Sequence, residues 1–204
     1  RCPPARRWWL ARLPCPARGD VAYGDPAYGV EILSGSCVNT TIPSGTLRIE
    51  TAASSGVFVR QGTIPTHALE LADEMMYDEY GMKFTYAITE AFTASAVSGV
   101  ITINDGVIPT SITTSAVYVI ISHGNDKVGA YSAGTTIPNV CATIKTHLER
   151  DAENCDSDTT FRSAQFNDFR RDATEWFDDL IGWAVSGDFA STTSSSCGYT
   201  FFVD

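Results

Sequence analysis

The segment Ala116–Ile121 limits the folds open to this chain more than any other. It reads Ala-Val-Tyr-Val-Ile-Ile, a continuous run of apolar and β-branched residues. A short run without polar alternation is typical of a strand that is covered on both faces. We therefore predict a central, buried strand here, ended by the turn Gly124-Asn125-Asp126.

Other strand patterns occur before and after this segment. Met82–Thr89 alternates over eight residues, the period of a half-buried strand. Gly99–Ile103 precedes the turn signal Asn104–Gly106, and Val107-Ile108 follows it. This order predicts a hairpin whose second arm is cut short by Pro109. Further strand candidates are Leu47–Thr51, Gly56–Arg60, the buried strand Leu180–Val185 and the edge strand Tyr199–Val203.

Helical patterns are fewer than strand patterns. Pro138–Asn154 is the clearest candidate, since Pro138 lies near its start and apolar residues recur at a spacing of four. A weaker helix is predicted at His67–Met76. Residues 1–45 are too densely punctuated by Gly and Pro for a long element and are interpreted as loop. The length of 204 residues favours one domain over two.

The six cysteines indicate disulfides and an oxidising compartment. Zinc is the competing explanation, but there is no C-x-x-C pair and the three histidines do not fall at finger spacing. In order of preference, the pairings that we predict are Cys15 with Cys37, Cys141 with Cys155, and Cys2 with Cys197. The first would close a loop rich in Gly and Pro, and the last has a link to a neighbouring subunit as its alternative. Sequence alone does not settle the connectivity.

The charge of the chain is unevenly distributed. The net charge is −10, yet five arginines precede the first acidic residue, Asp20. An acidic body argues against nucleic acid as a partner, because phosphate backbones require a positive surface. It suits a surface exposed outside the cell. The basic arm is interpreted as a solvated end rather than a lipid-binding segment, and no run of 18 apolar residues is present to span a bilayer.

Ser122 and His123 are the residues that most invite a catalytic interpretation. A serine nucleophile needs a base within hydrogen-bonding distance. Adjacent residues on a strand point to opposite faces, so these two cannot form that pair. No G-x-S-x-G nucleophile motif supports it either. We therefore interpret Ser122-His123-Gly124 as a strand end that enters a glycine turn, and we predict no catalytic residues.

Acidic residues near the C-terminal part of the chain invite a calcium interpretation. Calcium prefers oxygen ligands, which acid-rich loops supply. The spacing lacks the D-x-D-x-D-G register, so a solvated acidic loop is preferred and no cofactor is predicted, with calcium as the alternative. The acids concerned are Asp151, Glu153, Asp156, Asp158, Asp178 and Asp179.

Five short segments, taken in their order along the chain, resemble segments of a known protein family. They are Leu13–Ala17 with Cys37, Gly62–Pro65, Tyr77–Gly81 with Phe84–Tyr86, Ser122–Gly124, and Phe177–Leu180. In this order they resemble the globular part of bacterial prepilin-type proteins, which include type IV pilins and the pseudopilin-like proteins of type II secretion. The matching segments span residues 13–185, most of the chain.

This resemblance implies a fold, a location and a partner. It implies an α+β head, with an antiparallel sheet, one or two helices and long disulfide-stapled loops, as a single domain over residues 1–204. It also implies a non-catalytic subunit of an extracellular or periplasmic filament, with copies of itself or related subunits as partners. The family's hydrophobic N-terminal helix, its only link to the membrane, is missing here. The arm 1–18 is interpreted as the end of that helix, left by trimming or processing.

Two other classes of protein fit parts of the sequence. A secreted hydrolase would use acids within Asp151–Asp179. A monomeric secreted adhesive or carbohydrate-binding module would use Trp8, Trp9 and the aromatic tail. The sequence upstream of residue 1 distinguishes them from a filament subunit, because a plain signal peptide favours these two classes and a long apolar stretch favours the filament.

Overall fold

The computed structural model describes residues 12–52, 54–95, 97–106, 110–141, 150–164 and 177–189. This part of the chain forms the strands β1 Leu47–Glu50, β2 Phe58–Thr63, β3 Thr85–Thr89, β4 Ile101–Asp105, β5 Ser111–Ser122, β6 Thr160–Ser163 and β7 Leu180–Val185. It also forms short 3-10 helices at Asp73–Met76, Glu90–Thr93, Arg150–Asn154 and Ser186–Phe189. Among these residues, no helix has the length and apolar character needed to cross a membrane.

All seven strands belong to one sheet, which curls into a half-barrel. The order is β1-β2-β3-β5-β4-β6, and β7 also pairs with β5. Every pairing is antiparallel except the parallel pair of β4 and β6. The second half of β5 pairs with both β3 and β7, while its first half pairs with β4. Strand β5 is therefore the centre of the sheet.

Apolar side chains of β5 face two separate cores, one on each side of the sheet. Ala116, Val119 and Ile121 pack with side chains of β2, β3, β4 and β6. Val117 packs in the second core with Ile88 and other side chains. All four of these β5 side chains are fully buried. The predicted central strand at Ala116–Ile121, covered on both faces, is thereby confirmed.

The predicted α+β fold class is wrong. No helix of seven or more residues occurs among the described residues, so the architecture is a curled sheet with short 3-10 helices. In the predicted helix His67–Met76, Glu70 has a φ of 54°, which is incompatible with a right-handed helix. The Asp73 carboxylate is bonded to the side chains of Thr66 and His67. Such local bonds compete with helical ones and leave only one 3-10 turn.

The predicted helix Pro138–Asn154 falls largely outside the described residues. Residues 142–149 are not described, and at its C-terminal end lies the 3-10 helix Arg150–Asn154. Cys2, Trp8, Trp9, Cys197 and the predicted strand Tyr199–Val203 also lie outside the described residues.

The other strand predictions differ from the structure mainly in their boundaries. The turn after β4 does join two paired strands, since Asn104 lies opposite Ser111 and the Asp105 N–H bonds to the Thr110 carbonyl. The second arm is the long strand β5, and residues 107–109 are not described. Strand β7 lies where it was predicted, but it is not buried, because Leu180 is 57% exposed.

One predicted disulfide is present. Cys141 and Cys155 are bonded, with their Cα atoms 5.5 Å apart. Cys15 and Cys37, the pairing that was predicted first, are both buried thiols. The loop that carries them is attached to the sheet by paired backbone hydrogen bonds between Ala17 and Thr63, both 2.9 Å long.

Candidate functional site

The five segments that carry the family resemblance lie against one another in the fold. Leu13–Ala17 contacts Gly62–Pro65 through the Ala17–Thr63 bridge, and the Tyr86 hydroxyl donates to the Pro14 carbonyl at 3.2 Å. The remaining segments meet at the end of β5, where their side chains form a polar cluster. This cluster consists of Asp78, Thr85, Ser122, His123, Asp178 and Asp179.

Ser122 is paired with a carboxylate rather than with the neighbouring histidine. Its hydroxyl donates to Asp78 Oδ2 at 2.7 Å. The other oxygen of Asp78 accepts the backbone N–H groups of Tyr80 at 3.0 Å and Met82 at 2.9 Å. Asp78 therefore shapes the turn that leads into β3 and ties it to the end of β5.

His123 lies between a hydroxyl and a carboxylate. Its Nε2 is 2.8 Å from Thr85 Oγ1, and its Nδ1 is 3.9 Å from Asp179 Oδ1. The second oxygen of Asp179 accepts a hydrogen bond from Asn154 Nδ2 at 2.8 Å. Burial lowers the pKa of His123 to about 4, so the imidazole is neutral near pH 7.

This order of hydroxyl, imidazole and carboxylate resembles a hydrolase triad, but its geometry is different. The 3.9 Å separation between Nδ1 and Oδ1 is too long for the hydrogen bond that orients a catalytic imidazole. Thr85, His123 and Asp179 are only 5%, 2% and 3% exposed. The group therefore links β3, β5 and the start of β7, and a substrate has no direct access to the imidazole.

A cavity of about 320 Å³ lies beside this cluster. Its wall includes Gln61 and Thr85, apolar side chains such as Leu47 and Val140, and both cysteines of the disulfide. His123 and Asp179 are not among the described residues that line it. The cavity thus offers neutral polar and apolar groups, while the ionisable groups of the polar cluster lie behind Thr85.

Asp178 holds the turn that follows His123. Its Oδ2 accepts the backbone N–H groups of Asn125 at 2.7 Å and Asp126 at 3.0 Å. Gly124 has a φ of +56°, in the left-handed region that favours glycine. A Cβ atom at Gly124 would overlap the backbone oxygen of Asp178. A glycine at position 124 is thus required by the packing of the turn against the segment before β7.

Replacing Gly124 with alanine is expected to destabilise the protein by about 2 kcal/mol, because it adds left-handed strain to a steric overlap. Chemical denaturation monitored by circular dichroism measures the change. Gly182→Ala in β7 is the matched control, since a Cβ there meets no atom within 4 Å. Equal stability of the two variants would contradict this role for Gly124.

The acids proposed as calcium ligands are dispersed among different partners. Asp158 accepts the Thr160 N–H at 2.6 Å, and Glu153 lies 3.9 Å from the Arg162 guanidinium. Asp178 and Asp179 are buried in the polar cluster. Over the part of the chain that the structure describes, no group of three or more His, Cys, Asp or Glu residues could hold a metal ion.

Sequence reasoning missed three buried charged residues, Lys83, Arg60 and Glu90. Lys83 is 1% exposed, and its ammonium donates to the carbonyls of Gly19 at 2.9 Å and Val21 at 2.6 Å. Burial lowers its pKa to about 8. Arg60 is fully buried and pairs with Glu90 at 2.7 Å. The sequence did contain one indication for Lys83. It lies two residues before Thr85 and four before Ala87, so in an extended strand it faces the same buried side as they do.

Comparison of the chain with protein-family models, curated proteins and solved structures found no match. The resemblance to prepilin-type proteins therefore depends on the five segments alone. The contacts that these segments make with one another in the fold are the structural observation that bears on what the segments do.

Proposed function

We propose that this chain is the head of a structural subunit of an extracellular or periplasmic filament of the pilus or pseudopilus kind, and that it has no catalytic role. One observation carries the proposal. The polar side chains of the five resembling segments are engaged with one another and with nearby backbone, as in the pairs Ser122 with Asp78 and His123 with Thr85. Residues used in this way stabilise a head instead of contacting a substrate.

The edge of the sheet supports contacts between subunits. Among the described strands, β1 pairs only with β2, so its other edge presents backbone groups that can pair with another chain. Leu47 on β1 is 42% exposed, and Ile42 just before it is 51% exposed. An unpaired strand edge with exposed apolar side chains beside it favours association with a second copy.

The net charge supports a location outside the cell. The chain carries −10 overall, and the oxidised pair of Cys141 and Cys155 fits an oxidising compartment. In this proposal the heads contact one another through the curled sheet and its loops, and no helix of the head is needed. Acidic outer surfaces keep assembled fibres dispersed through charge repulsion.

The test uses the complete natural gene product in its own cells. Filaments sheared from the cell surface are labelled with an antibody raised against the described head and viewed by electron microscopy. We expect labelled fibres, and we expect Leu47→Lys to reduce their yield without unfolding the protein. Leu180→Lys is the control, because Leu180 is 57% exposed on a different strand.

Two results would count against the filament. One is absence of the protein from sheared fibres together with a monomeric state at high concentration. The other is hydrolysis of a glycoside or peptide substrate by the purified monomer. The second result would favour the secreted hydrolase, and binding of a glycan by a stable monomer would favour the adhesive module.

A further inference from the structure

Cys15 and Cys37 are buried side by side between a loop and the sheet. Both are fully buried beside the turn at Phe92–Thr93, since the nearby Leu13 N–H donates to the Phe92 carbonyl. The Cys37 sulfur also lies 3.4 Å from Thr93 Oγ1. The two cysteines are thus packed in one buried region beside this turn.

The backbone on either side of this pair is held in place. The Cys15 N–H donates to Glu31 Oε2 at 3.1 Å, and the Cys37 N–H donates to Thr93 Oγ1 at 3.1 Å. The Cys37 carbonyl accepts the buried Arg60 guanidinium at 2.9 Å. Two cysteines that approach through anchored backbone can be joined with little rearrangement.

We propose that Cys15 and Cys37 form a second disulfide, and that this bond is made before the loop carrying them closes over the sheet. The timing follows from burial, since an oxidant must reach at least one sulfur atom and neither is accessible in the folded protein. Cys141 and Cys155 differ, because both are partly exposed. The inference is independent of the filament proposal.

The chemistry is thiol–disulfide exchange with a small or protein disulfide such as oxidised glutathione. One cysteine thiolate attacks a sulfur of the donor, whose S–S bond breaks and releases one thiolate. The second cysteine, after losing its proton, attacks the mixed disulfide and expels the other donor thiolate. Two protein thiols are oxidised to one disulfide, and one donor disulfide is reduced to two thiols that take up the two protons.

In the folded protein, the pKa values of the two thiols are shifted in opposite directions. The hydrogen bond from Cys15 lowers the pKa of the Cys37 thiol, burial opposes this shift, and Thr93 and Arg60 reinforce it. The hydrogen bond to Cys37 and burial raise the pKa of Cys15. Since the reacting groups are sealed from solvent, these shifts do not make the folded dithiol reactive toward external oxidants.

The experiment compares oxidation during folding with oxidation after folding. Reduced, denatured protein is refolded in a buffer of reduced and oxidised glutathione, then blocked with an alkylating agent and digested with trypsin without reduction. The expected cross-linked peptides are Leu13–Arg18 and Gly19–Arg48. In the second arm, the protein is folded fully reduced before oxidised glutathione is added, and this bond is expected to form at least about tenfold more slowly.

The bond between Cys141 and Cys155 is the internal control. Its tryptic peptides are Val128–Lys145 and Asp151–Arg162, and it is expected to form in both arms. The same measurements on Cys2→Ser/Cys197→Ser exclude exchange with the remaining cysteines. Refolding that leaves Cys15 and Cys37 alkylatable in denaturant would overturn the bond. Equal rates in the two arms would overturn its timing.

Discussion

Replacing Glu90 with glutamine is expected to lower the free energy of unfolding by about 3–5 kcal/mol, the cost of leaving a buried charge without its partner. The Glu90 side chain is 4% exposed and accepts hydrogen bonds from Arg60 Nε at 2.7 Å and from Arg48 Nε at 2.6 Å. It also accepts the Asn39 N–H at 3.0 Å. Burial by itself would raise the pKa of Glu90, but these bonds outweigh it and lower the pKa.

The cost arises because Arg60 cannot reach water. Its side chain is fully buried, and it also donates to the carbonyls of Cys37 and Thr40. Urea denaturation under oxidising conditions measures the change. Glu74→Gln is the control, because among the described residues the Glu74 carboxylate pairs only with exposed Tyr23. If Glu90→Gln does not fold, the double variant Arg60→Met/Glu90→Leu is expected to recover folding, since it removes both charges. If Glu90→Gln lowers the free energy of unfolding by less than about 1 kcal/mol, the Arg60 charge is stabilised by groups other than Glu90.

Acidification from pH 6.5 to pH 4 is expected to destabilise the protein by about 3 kcal/mol through His123. Burial lowers the pKa of this histidine from 6.5 in an unfolded chain to about 4 in the fold. Between these values the unfolded chain binds one proton more than the folded protein, so stability rises with pH across this window. The contribution is fully present above pH 6.5 and is lost as pH falls toward 4.

The variant His123→Gln tests this assignment. Glutamine can still bond to Thr85 but does not titrate, so the stability of the variant is expected to change little between pH 6.5 and pH 4.5. His67→Gln is the matched control, because its side chain is 50% exposed and its replacement is expected to leave the slope of the wild type. Thermal denaturation at several pH values checks both variants. An unchanged slope in His123→Gln would assign the acid sensitivity to another group.

Sequence patterns predicted the centre of the sheet better than its surroundings. Ala116–Ile121 was identified because an uninterrupted apolar run is stable only where both faces are covered. The helix predicted at His67–Met76 failed because side-chain bonds to Asp73 and the left-handed Glu70 determine that stretch locally. Strand β7 was located correctly, but its exposure depends on which other elements cover it.

The candidate site could be predicted only in pieces. The segments around Thr85, His123 and Asp178 were recognised in the sequence, and adjacent Ser122 and His123 were expected to face different ways. Their partners were not predicted, because the bonds join residues far apart in the chain, such as Ser122 with Asp78 and Tyr86 with Pro14. A pattern within one strand carries no information about such partners.

By itself, the sequence determined the positions of most strands, β6 excepted, and which short segments resemble a family. Both depend on residues that are close along the chain. Only the tertiary structure decided that Lys83, Arg60 and Glu90 are buried and that Cys15 and Cys37 are fully buried thiols. The physical reason is that burial and pairing depend on what distant segments place around a side chain. A charged residue or a cysteine reads the same in sequence whether it faces water or the core.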